Sequence, residues 1–394
     1  MRVHAGLPRQ GPGSKDETMR ALSLLPPIRQ GSVIFDAGCG PGRASMVLAA
    51  ALKQKIIAVD LCEDFLSALQ AAASAQGMGD LIEARCANMA KLDATPKSIN
   101  LIWSEGAIYC IGFDNGLSLW RPLLAEDGLI ACTELSWLTA QQSEESSQFW
   151  NAAYPGMRSI SENLMAAESL GYACLDYFVL PESCWWDEYY GPLSHNIEQL
   201  KSEDKRDDYL CRAIENAATE IEMFRQYSNE YGYVFYLLQK SNVSIERAND
   251  SDASAIARVF RQSRALLTFL PCLHTEEEDL QFFAKKILPT HTVFVAKESD
   301  SDNIVGFITF DHRWVHQLYL VPDQIHTGIG SRLLNLVKSK TDRLQLWAFK
   351  KNVMAAKFYA KHGFKPIEET DGSNNEEKEP DVLFEWIRAN EIQK

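Results

Sequence analysis

The sequence predicts an α/β fold in two parts. In the first part, short and almost continuously apolar runs alternate with helical segments, which is typical of parallel strands buried on both faces. From residue 243 the order changes to consecutive strands, two of them joined by a tight polar turn as a hairpin. The chain has 394 residues, more than a single hydrophobic core usually serves. We therefore expect two domains, at residues 1–240 and 243–394.

A glycine-rich turn follows the first predicted strand and opens an alanine-rich helix. Residues 33–42 read VIFDAGCGPG, and Gly38, Gly40 and Gly42 lack the Cβ that would keep a backbone away from a bound nucleotide. Asp36 stands two residues before the first glycine, at the end of the strand. The third glycine comes one residue earlier than in the dinucleotide fingerprint G-x-G-x-x-G.

The next predicted strand ends on a carboxylate. The run KIIAVD at residues 55–60 ends on Asp60. In doubly wound folds an acid at the end of the second strand accepts hydrogen bonds from ribose hydroxyls. A third strand is predicted at 81–86, shortly before Asn88 and Met89.

The acid-x-G-x-G-x-G pattern resembles motif I of class I S-adenosylmethionine (SAM)-dependent methyltransferases. The resemblance implies a Rossmann-like, seven-stranded sheet that binds SAM through Asp36, the three glycines, Asp60, Asn88 and Met89. The family usually has aspartate where this chain has Asn88, whose carbonyl can still accept a bond from the adenine amino group. The run WSEGAIY at 103–109, followed by IGF, resembles a bacterial group of small-molecule methyltransferases.

Class I enzymes hold the methyl acceptor above the carboxyl ends of strands four and five, predicted here at 99–104 and 128–134. Glu105 and Glu134 stand at those ends, and we expect them to orient or deprotonate an acceptor. The other interpretation is that each glutamate is merely solvated or caps a helix. The aromatic run WWDEYY at 185–190 either walls an acceptor pocket through cation–π contacts or packs in the core.

The second domain resembles the GCN5-related N-acetyltransferases (GNAT). The residues that carry this resemblance are LYLVP at 318–322, Gly328 and Gly330 before a helix, and the run from Asn352 to Tyr359. The resemblance implies that acetyl-CoA binds at the helix N-terminus, where unpaired N–H groups and the helix dipole favour a pyrophosphate. Asn352 is expected to belong to the same cofactor site.

Acetyl transfer to an amine needs a base for the amine proton and an acid for the departing thiolate. The resemblance makes Tyr359 the acid and the strand at Leu318 and Leu320 the source of oxyanion N–H groups. His316 is the candidate base, because relatives often carry an acid at that strand position. We interpret His312 and His316 as sharing one strand face. No third ligand is visible at a suitable spacing, so we expect no metal.

The glycine loop of the second domain departs from the family pattern Gln/Arg-x-x-Gly-x-Gly. Ile325 stands at the Gln/Arg position, and His326 stands where a further glycine is common. One polar partner is lost and a Cβ is added, whereas the backbone donors remain. The domain is therefore either an acetyltransferase or a catalytically silent fold that binds a ligand or regulates.

Composition limits the partners and the location. The net charge of −14 disfavours a nucleic-acid surface, because such surfaces neutralise phosphates with Lys and Arg, and it disfavours anionic membranes. Residues 1–15 lack the apolar core of a secretion signal, and no apolar run is long enough to span a bilayer. Nine cysteines without C-x-x-C spacing indicate reduced thiols, hence a cytoplasmic protein.

Together these observations predict a bifunctional transferase. We expect SAM-dependent methylation of a small molecule and acetyl-CoA-dependent N-acetylation of an amine. The alternative is a methyltransferase with a silent GNAT-fold domain for ligand binding or regulation. A nucleic-acid methyltransferase is disfavoured, since the charge is wrong and no Asn/Asp-Pro-Pro-Tyr motif is present. The acceptors, the methylated atom and the oligomeric state stay open.

Overall fold

The chain divides into two compact units. The computed structural model describes residues 2–203, 207–299 and 301–388. The units are Met1–Ser241 and Asn242–Lys394. In the described part of the chain, no helix combines the length and the apolar character needed to cross a bilayer.

A mostly parallel sheet forms the centre of the first unit. Its strands are β1 (Ile34–Ala37), β2 (Ile56–Asp60), β3 (Ile82–Cys86), β4 (Ile99–Ser104), β5 (Leu124–Trp137), β6 (Arg158–Ser159), β7 (Tyr172–Val179) and β8 (Tyr231–Lys240). The order is β3-β2-β1-β4-β5-β8-β7, and the two-residue β6 pairs with β5. Strands β1 to β5 run parallel, whereas β8 is antiparallel to both neighbours. The strand order therefore reverses at β1 and β4, which is where ligands bind in such sheets.

Helices cover both faces of this sheet. They are α1 (Lys15–Leu24), α2 (Arg43–Leu52), α3 (Glu63–Ala75), α4 (Phe113–Trp120), α5 (Glu144–Ala153), α6 (Ile160–Ser169), α7 (Ser183–Trp185), α8 (Gly191–Lys201) and α9 (Asp208–Tyr227). Successive strand residues point to opposite faces. Accordingly, Ile34 packs in one buried cluster with Leu48, and the adjacent Phe35 packs in another with Leu117.

In the first unit, one strand differs from its predicted length, and the structure decides between the two interpretations of the aromatic run. The predicted fifth strand at 128–134 is longer at both ends: β5 runs from Leu124 to Trp137, so Glu134 lies within the strand and the expectation that it stands at the end is wrong. The aromatic run at 185–190 lies in the core: Trp185 is 2% exposed, and its ring centroid is 4.1 Å from that of Phe224. Packing is therefore the interpretation that the structure supports for this run.

The second unit is a sheet flanked by helices. Its strands are β9 (Val243–Arg247), β10 (Thr292–Glu298), β11 (Ile304–Asp311), β12 (Trp314–Leu320), β13 (Arg343–Phe349), β14 (Lys365–Glu369) and β15 (Asp381–Ile387). The helices are α10 (Ala253–Arg264), α11 (Glu276–Phe282), α12 (Leu288–Thr290), α13 (Ile329–Lys338) and α14 (Val353–Lys361). The strand order is β14-β15-β13-β12-β11-β10-β9. The predicted α/β class with a second α/β domain is confirmed.

Strands β12 and β13 diverge. They form the parallel pair of this sheet and share one register position, Trp314 opposite Gln345. Among the described residues, the edge of β12 that faces β13 has no ladder partner beyond Trp314, whereas its other edge pairs with β11. The fold thus opens a cleft beside β12.

The expectation that His312 and His316 share a strand face is wrong. His312 lies in the turn between β11 and β12, with a positive φ of 25°. His316 lies on β12 at a bulge, because Thr309 pairs with Gln317 while Phe310 pairs with Val315. A bulge changes the direction of the side chain of the extra residue. The alternation of side chains along a regular strand therefore does not put the two imidazoles on one face.

Candidate functional site

A cavity of about 370 Å³ opens at the carboxyl ends of the central strands of the first unit. Among its lining residues are six that the sequence analysis assigned to SAM: Asp36, Gly38, Gly40, Asp60, Asn88 and Met89. Gly42 does not line it. A Cβ at Gly42 would lie 2.2 Å from Leu69 Cδ1, so this glycine lets α2 pack closely against α3.

The glycine turn leaves room inside the cavity at one position. Gly40 has a φ of +52°, and a Cβ added there would meet only Gln10 Cγ, at 3.8 Å. At Gly38, by contrast, a Cβ would lie 2.4 Å from the Cβ of Ala107. Gly38 is thus required by packing between protein segments, whereas Gly40 keeps open the space that a ligand would occupy.

The carboxylate of Asp60 fastens the glycine turn to the end of β2. Its Oδ2 accepts the N–H of Gly40 and its Oδ1 accepts the N–H of Cys62, each at 2.9 Å. A carboxylate has about four acceptor positions, so two remain for ligand hydroxyls. The Oδ1 of Asn88 accepts the N–H of Ala90 at 2.8 Å, which leaves one lone pair on that oxygen.

Asp36 is a buried acid at the floor of the same cavity. It is 1% exposed, and the hydroxyl of Ser45 donates a hydrogen bond to its Oδ2. Burial raises the pKa of Asp36 to about 7, because the charged form loses its hydration. A cationic ligand in the cavity would favour the ionised form.

Glu105 is fully engaged by neighbouring donors. Its carboxylate accepts hydrogen bonds from Arg9 Nη1 at 2.6 Å, from the hydroxyl of Thr18 at 2.7 Å and from Trp103 Nε1 at 2.8 Å. Arg9 is itself buried and also donates to Glu188 Oε2 at 3.0 Å. These bonds hold the 8–12 segment as one wall of the cavity. Sequence reasoning missed this wall, whose only signal is an arginine near the start of the chain.

Glu134 is a buried carboxylate with one unpartnered oxygen. It is 2% exposed, and the hydroxyl of Tyr154 donates to its Oε1 at 2.6 Å. Its Oε2 has no hydrogen-bond partner within the described ranges. Burial raises the pKa of Glu134 to about 7. Tyr109 lines the cavity and packs edge-on against Tyr154, with ring centroids 6.2 Å apart, so this pair lies directly behind the cavity wall.

A second cavity, of about 470 Å³, lies beside β12 in the second unit. Its lining includes these residues named in the sequence analysis: Leu318, Leu320, Ile325, His326, Gly328, Gly330, Asn352 and Tyr359. A Cβ at Gly328 would meet no atom within 4 Å, so the start of α13 faces open space. Tyr359 is buried, which raises the pKa of its hydroxyl.

Two other residues of this cavity have defined local roles. The side chain of Asn352 accepts the N–H of Ala355 at 3.1 Å and thereby caps α14. His326 has a φ of +69°, in the left-handed region that glycine adopts most readily. This conformation is the physical reason why glycine is common at the equivalent position of the family.

His316 is not among the residues that line this second cavity. Its Nε2 lies 3.0 Å from Asp311 Oδ2, and the Nε2 of His291 lies 3.9 Å from the same oxygen. The structure thus brings together three side chains with metal-ligating atoms, two of which the sequence analysis did not connect with His316.

Comparison with known proteins identifies both units. Residues 34–128 match the family model of a methyltransferase domain, and residues 289–366 match that of an acetyltransferase (GNAT) domain. The chain therefore contains a methyltransferase domain and a GNAT domain, which confirms both resemblances.

Individual relatives match the first unit. A malonyl-[acyl-carrier protein] O-methyltransferase from Methylovorus sp. (strain MP688) is 34% identical over 107 residues, 26% of this chain and 36% of that relative. The chain thus spans about a third of the length of the curated relative it matches. The fold is shared with a SAM-dependent methyltransferase from Thiobacillus denitrificans in complex with S-adenosyl-L-homocysteine (16% identity, 61% of this chain, 96% of that one, TM-score 0.53). It is also shared with YjhP from E. coli (16% identity, 60% and 97%, TM-score 0.54).

Proposed function

We propose that the first unit is a SAM-dependent methyltransferase for a small molecule, and that the second acetylates an amine with acetyl-CoA. The observation that carries the first half is the cavity in which Gly40, Asp60 and Asn88 meet. A Cβ at Gly40 would meet only Gln10 Cγ, at 3.8 Å, which fits a ligand held against the backbone. Asp60 keeps acceptor positions for two ribose hydroxyls, and Asn88 keeps one for the adenine amino group.

Bound SAM supplies an electrophilic methyl group on a sulfonium sulfur. The chain's own contribution is to position an acceptor and to remove its proton, since displacement at such a methyl group depends mainly on alignment and desolvation. Glu105 has three donors on its carboxylate, so we assign it to positioning the cavity wall and not to proton transfer.

Glu134 and Tyr154 fit the role of a proton acceptor. Neither residue lines the cavity, so an acceptor must reach past Tyr109 to meet Tyr154. Such an acceptor would pass its proton to the oxygen of Tyr154, while the hydroxyl proton of Tyr154 passes to Glu134. The short bond between the two side chains and the pKa of about 7 at Glu134 suit a base that works near neutral pH.

The nature of the acceptor follows from this pair. A malonyl oxygen, as in the name of the curated relative, belongs to a carboxylate that has no proton to lose at neutral pH. A buried glutamate would repel such an anion. The pair therefore favours an acceptor that carries a removable proton, such as an amine or a hydroxyl.

The second unit offers a matching set of groups for acetyl transfer. The unpaired edge of β12 supports a role for the backbone at Leu318 and Leu320 in holding a thioester and its oxyanion. The hydroxyl of Tyr359 would protonate the departing thiolate. His316 stands outside the cavity lining, so the proposal leaves the amine proton to solvent and does not use His316 as the base.

Two features favour the alternative, a silent GNAT domain. Ile325 cannot supply the polar contact that Gln or Arg provides in the family pattern. His326 adds a side chain to the cavity lining at a position where the family often has glycine. Both hypotheses predict SAM binding to the first unit, so they differ only in the second.

Calorimetric titration of the full chain with SAM and, separately, with acetyl-CoA tests the proposal. Micromolar binding of both ligands supports the bifunctional enzyme, and an amine library is then screened with both donors. In that screen, Tyr359→Phe should abolish CoA release and leave methylation unchanged. Binding of acetyl-CoA without turnover of any amine supports the silent domain, and absence of SAM binding refutes the methyltransferase assignment.

A further inference from the structure

Three side chains in the second unit direct ligand atoms at one point. His291 directly precedes β10, Asp311 ends β11, and His316 lies at the bulge of β12. The Nε2 of His316 is 3.0 Å, and the Nε2 of His291 3.9 Å, from the same Asp311 oxygen. One ligand atom from each of the three lies within 4.8 Å of the others. We propose that His291, Asp311 and His316 bind a divalent transition-metal ion.

The hydrogen bonds of His291 identify which of its ring nitrogens is available. Thr290 has one hydroxyl hydrogen, which it donates to the carbonyl of Lys286. Its oxygen must therefore accept the 2.7 Å bond to His291 Nδ1, so that Nδ1 carries the proton. With Nδ1 protonated, Nε2 is the ring nitrogen that can offer a lone pair, and it faces Asp311. Metal-ligating histidines are commonly held in this way, by a partner on the second ring nitrogen.

When His291 is neutral, its Nε2 and the Asp311 oxygen are both hydrogen-bond acceptors, and a cation between them would remove the repulsion between their lone pairs. Zinc–nitrogen and zinc–oxygen bonds of about 2.0–2.1 Å in a tetrahedral site put ligand atoms roughly 3.3 Å apart. The distances of 3.0 and 3.9 Å lie on either side of that value, so small side-chain movements would complete the site.

The donor set selects the class of metal. Two imidazoles and one carboxylate suit zinc, iron, copper or nickel, whereas magnesium and calcium prefer oxygen ligands alone. The side chains of His291, Asp311 and His316 are 18%, 37% and 36% exposed, so a further coordination position faces solvent. Three protein ligands with an open position are typical of catalytic zinc sites. His316 precedes Leu318 of the second cavity by two residues, roughly 7 Å along a strand.

The test is a metal titration of the full-length chain after removal of metal by a chelator. ZnCl₂ is titrated by calorimetry into the wild type, into His291→Ala/His316→Ala, and into a matched control, His195→Ala/His274→Ala. The control removes two histidines that lie outside the cluster, and all three proteins keep the same nine cysteines. We expect the wild type and the control to bind one Zn²⁺ per chain more than the cluster variant.

A second variant separates metal binding from a merely structural role. Thr290→Val removes the acceptor for His291 Nδ1 but leaves the three ligands, so the Kd for Zn²⁺ should rise 10–100-fold with unchanged stoichiometry. Circular dichroism checks that each variant is folded, and His316→Gln replaces the double variant if that one is not. Equal zinc stoichiometry and Kd in the wild type and a folded cluster variant would overturn the proposal, as would failure of the wild type to bind Zn²⁺, Fe²⁺, Ni²⁺ or Cu²⁺.

Discussion

Replacing Asp60 by alanine should weaken SAM binding far more than it weakens the fold. Two ribose hydroxyls would lose a charged acceptor, and hydrogen bonds to charged groups contribute about 1.5–3 kcal/mol each. The lower value for both bonds, about 3 kcal/mol, corresponds to a roughly 100-fold increase in Kd. Two N–H groups, of Gly40 and Cys62, also lose their acceptor. Asp60 is only partly buried, so water can replace its carboxylate as the acceptor of these two N–H groups. We expect a cost of about 1 kcal/mol or less for each N–H group and a fall of a few degrees in Tm.

The assay is calorimetric titration of Asp60→Ala with SAM, next to thermal unfolding of the same sample. Asp64→Ala is the matched control, because it removes the same charge from an exposed residue in the first turn of α3, outside the cavity lining. We expect the control to bind SAM with a Kd within about threefold of the wild type, since exposed charges act weakly through salt solution. Asp60→Ala with a wild-type Kd would refute the assignment of this carboxylate to the ribose. An equal loss in both variants would reduce its role to net charge.

Three further predictions concern other parts of the two cavities. Gly40→Ala should abolish SAM binding, because the added Cβ would enter the space assigned to the ligand. It should lower Tm no more than Gly31→Ala does, since Gly31 has a left-handed φ of +83° and, like Gly40, little around the position of a Cβ. SAM binding by a folded Gly40→Ala would contradict the proposal that Gly40 keeps this space open. The rate of methylation of a hydroxyl or amine acceptor should rise with pH through about 7, as Glu134 loses its proton. Glu134→Gln should methylate about 10²–10⁴-fold more slowly, and its rate should not show that rise. A variant that keeps the wild-type pH profile would exclude Glu134 as the base. His326→Gly should lower the Kd for acetyl-CoA several-fold, because it removes a side chain from the cavity lining and a strained φ of +69°. Weaker binding of acetyl-CoA by this variant in calorimetry would instead show that the His326 side chain contacts the ligand.

The sequence was most informative where the function depends on a short segment at the end of a strand. Asp60 ends β2, the glycine turn follows β1 and Asn88 lies two residues after β3, and the carboxyl ends of parallel strands meet at one edge of the sheet. The positions of the strand ends were therefore enough to predict that the glycine turn and Asp60 line one cavity. The resemblance to the methyltransferase family added Asn88, and the resemblance to the GNAT family predicted the cleft residues of the second unit from Leu318 to Tyr359.

Other features depend on segments that are far apart in sequence and carry no periodic signal. Arg9 reaches Glu105 across the first unit and holds its carboxylate, whereas one oxygen of Glu134 has no hydrogen-bond partner among the described residues. Nothing in the sequence distinguishes the two glutamates, since each follows or ends a predicted strand. Their difference comes from burial and from which donors the folded chain places nearby.

The second unit illustrates the same division. By itself the sequence predicted the fold class, the two glycine loops and several of the residues that line the two cavities, because those features are encoded in local runs of apolar residues and glycines. Only the tertiary structure could replace the pair of His312 and His316 by the cluster of His291, Asp311 and His316. A turn and a strand bulge changed the direction of the histidines, and antiparallel pairing of β10, β11 and β12 brought residues from three segments to one point. Such convergence is set by register and packing, which no spacing in the chain reveals.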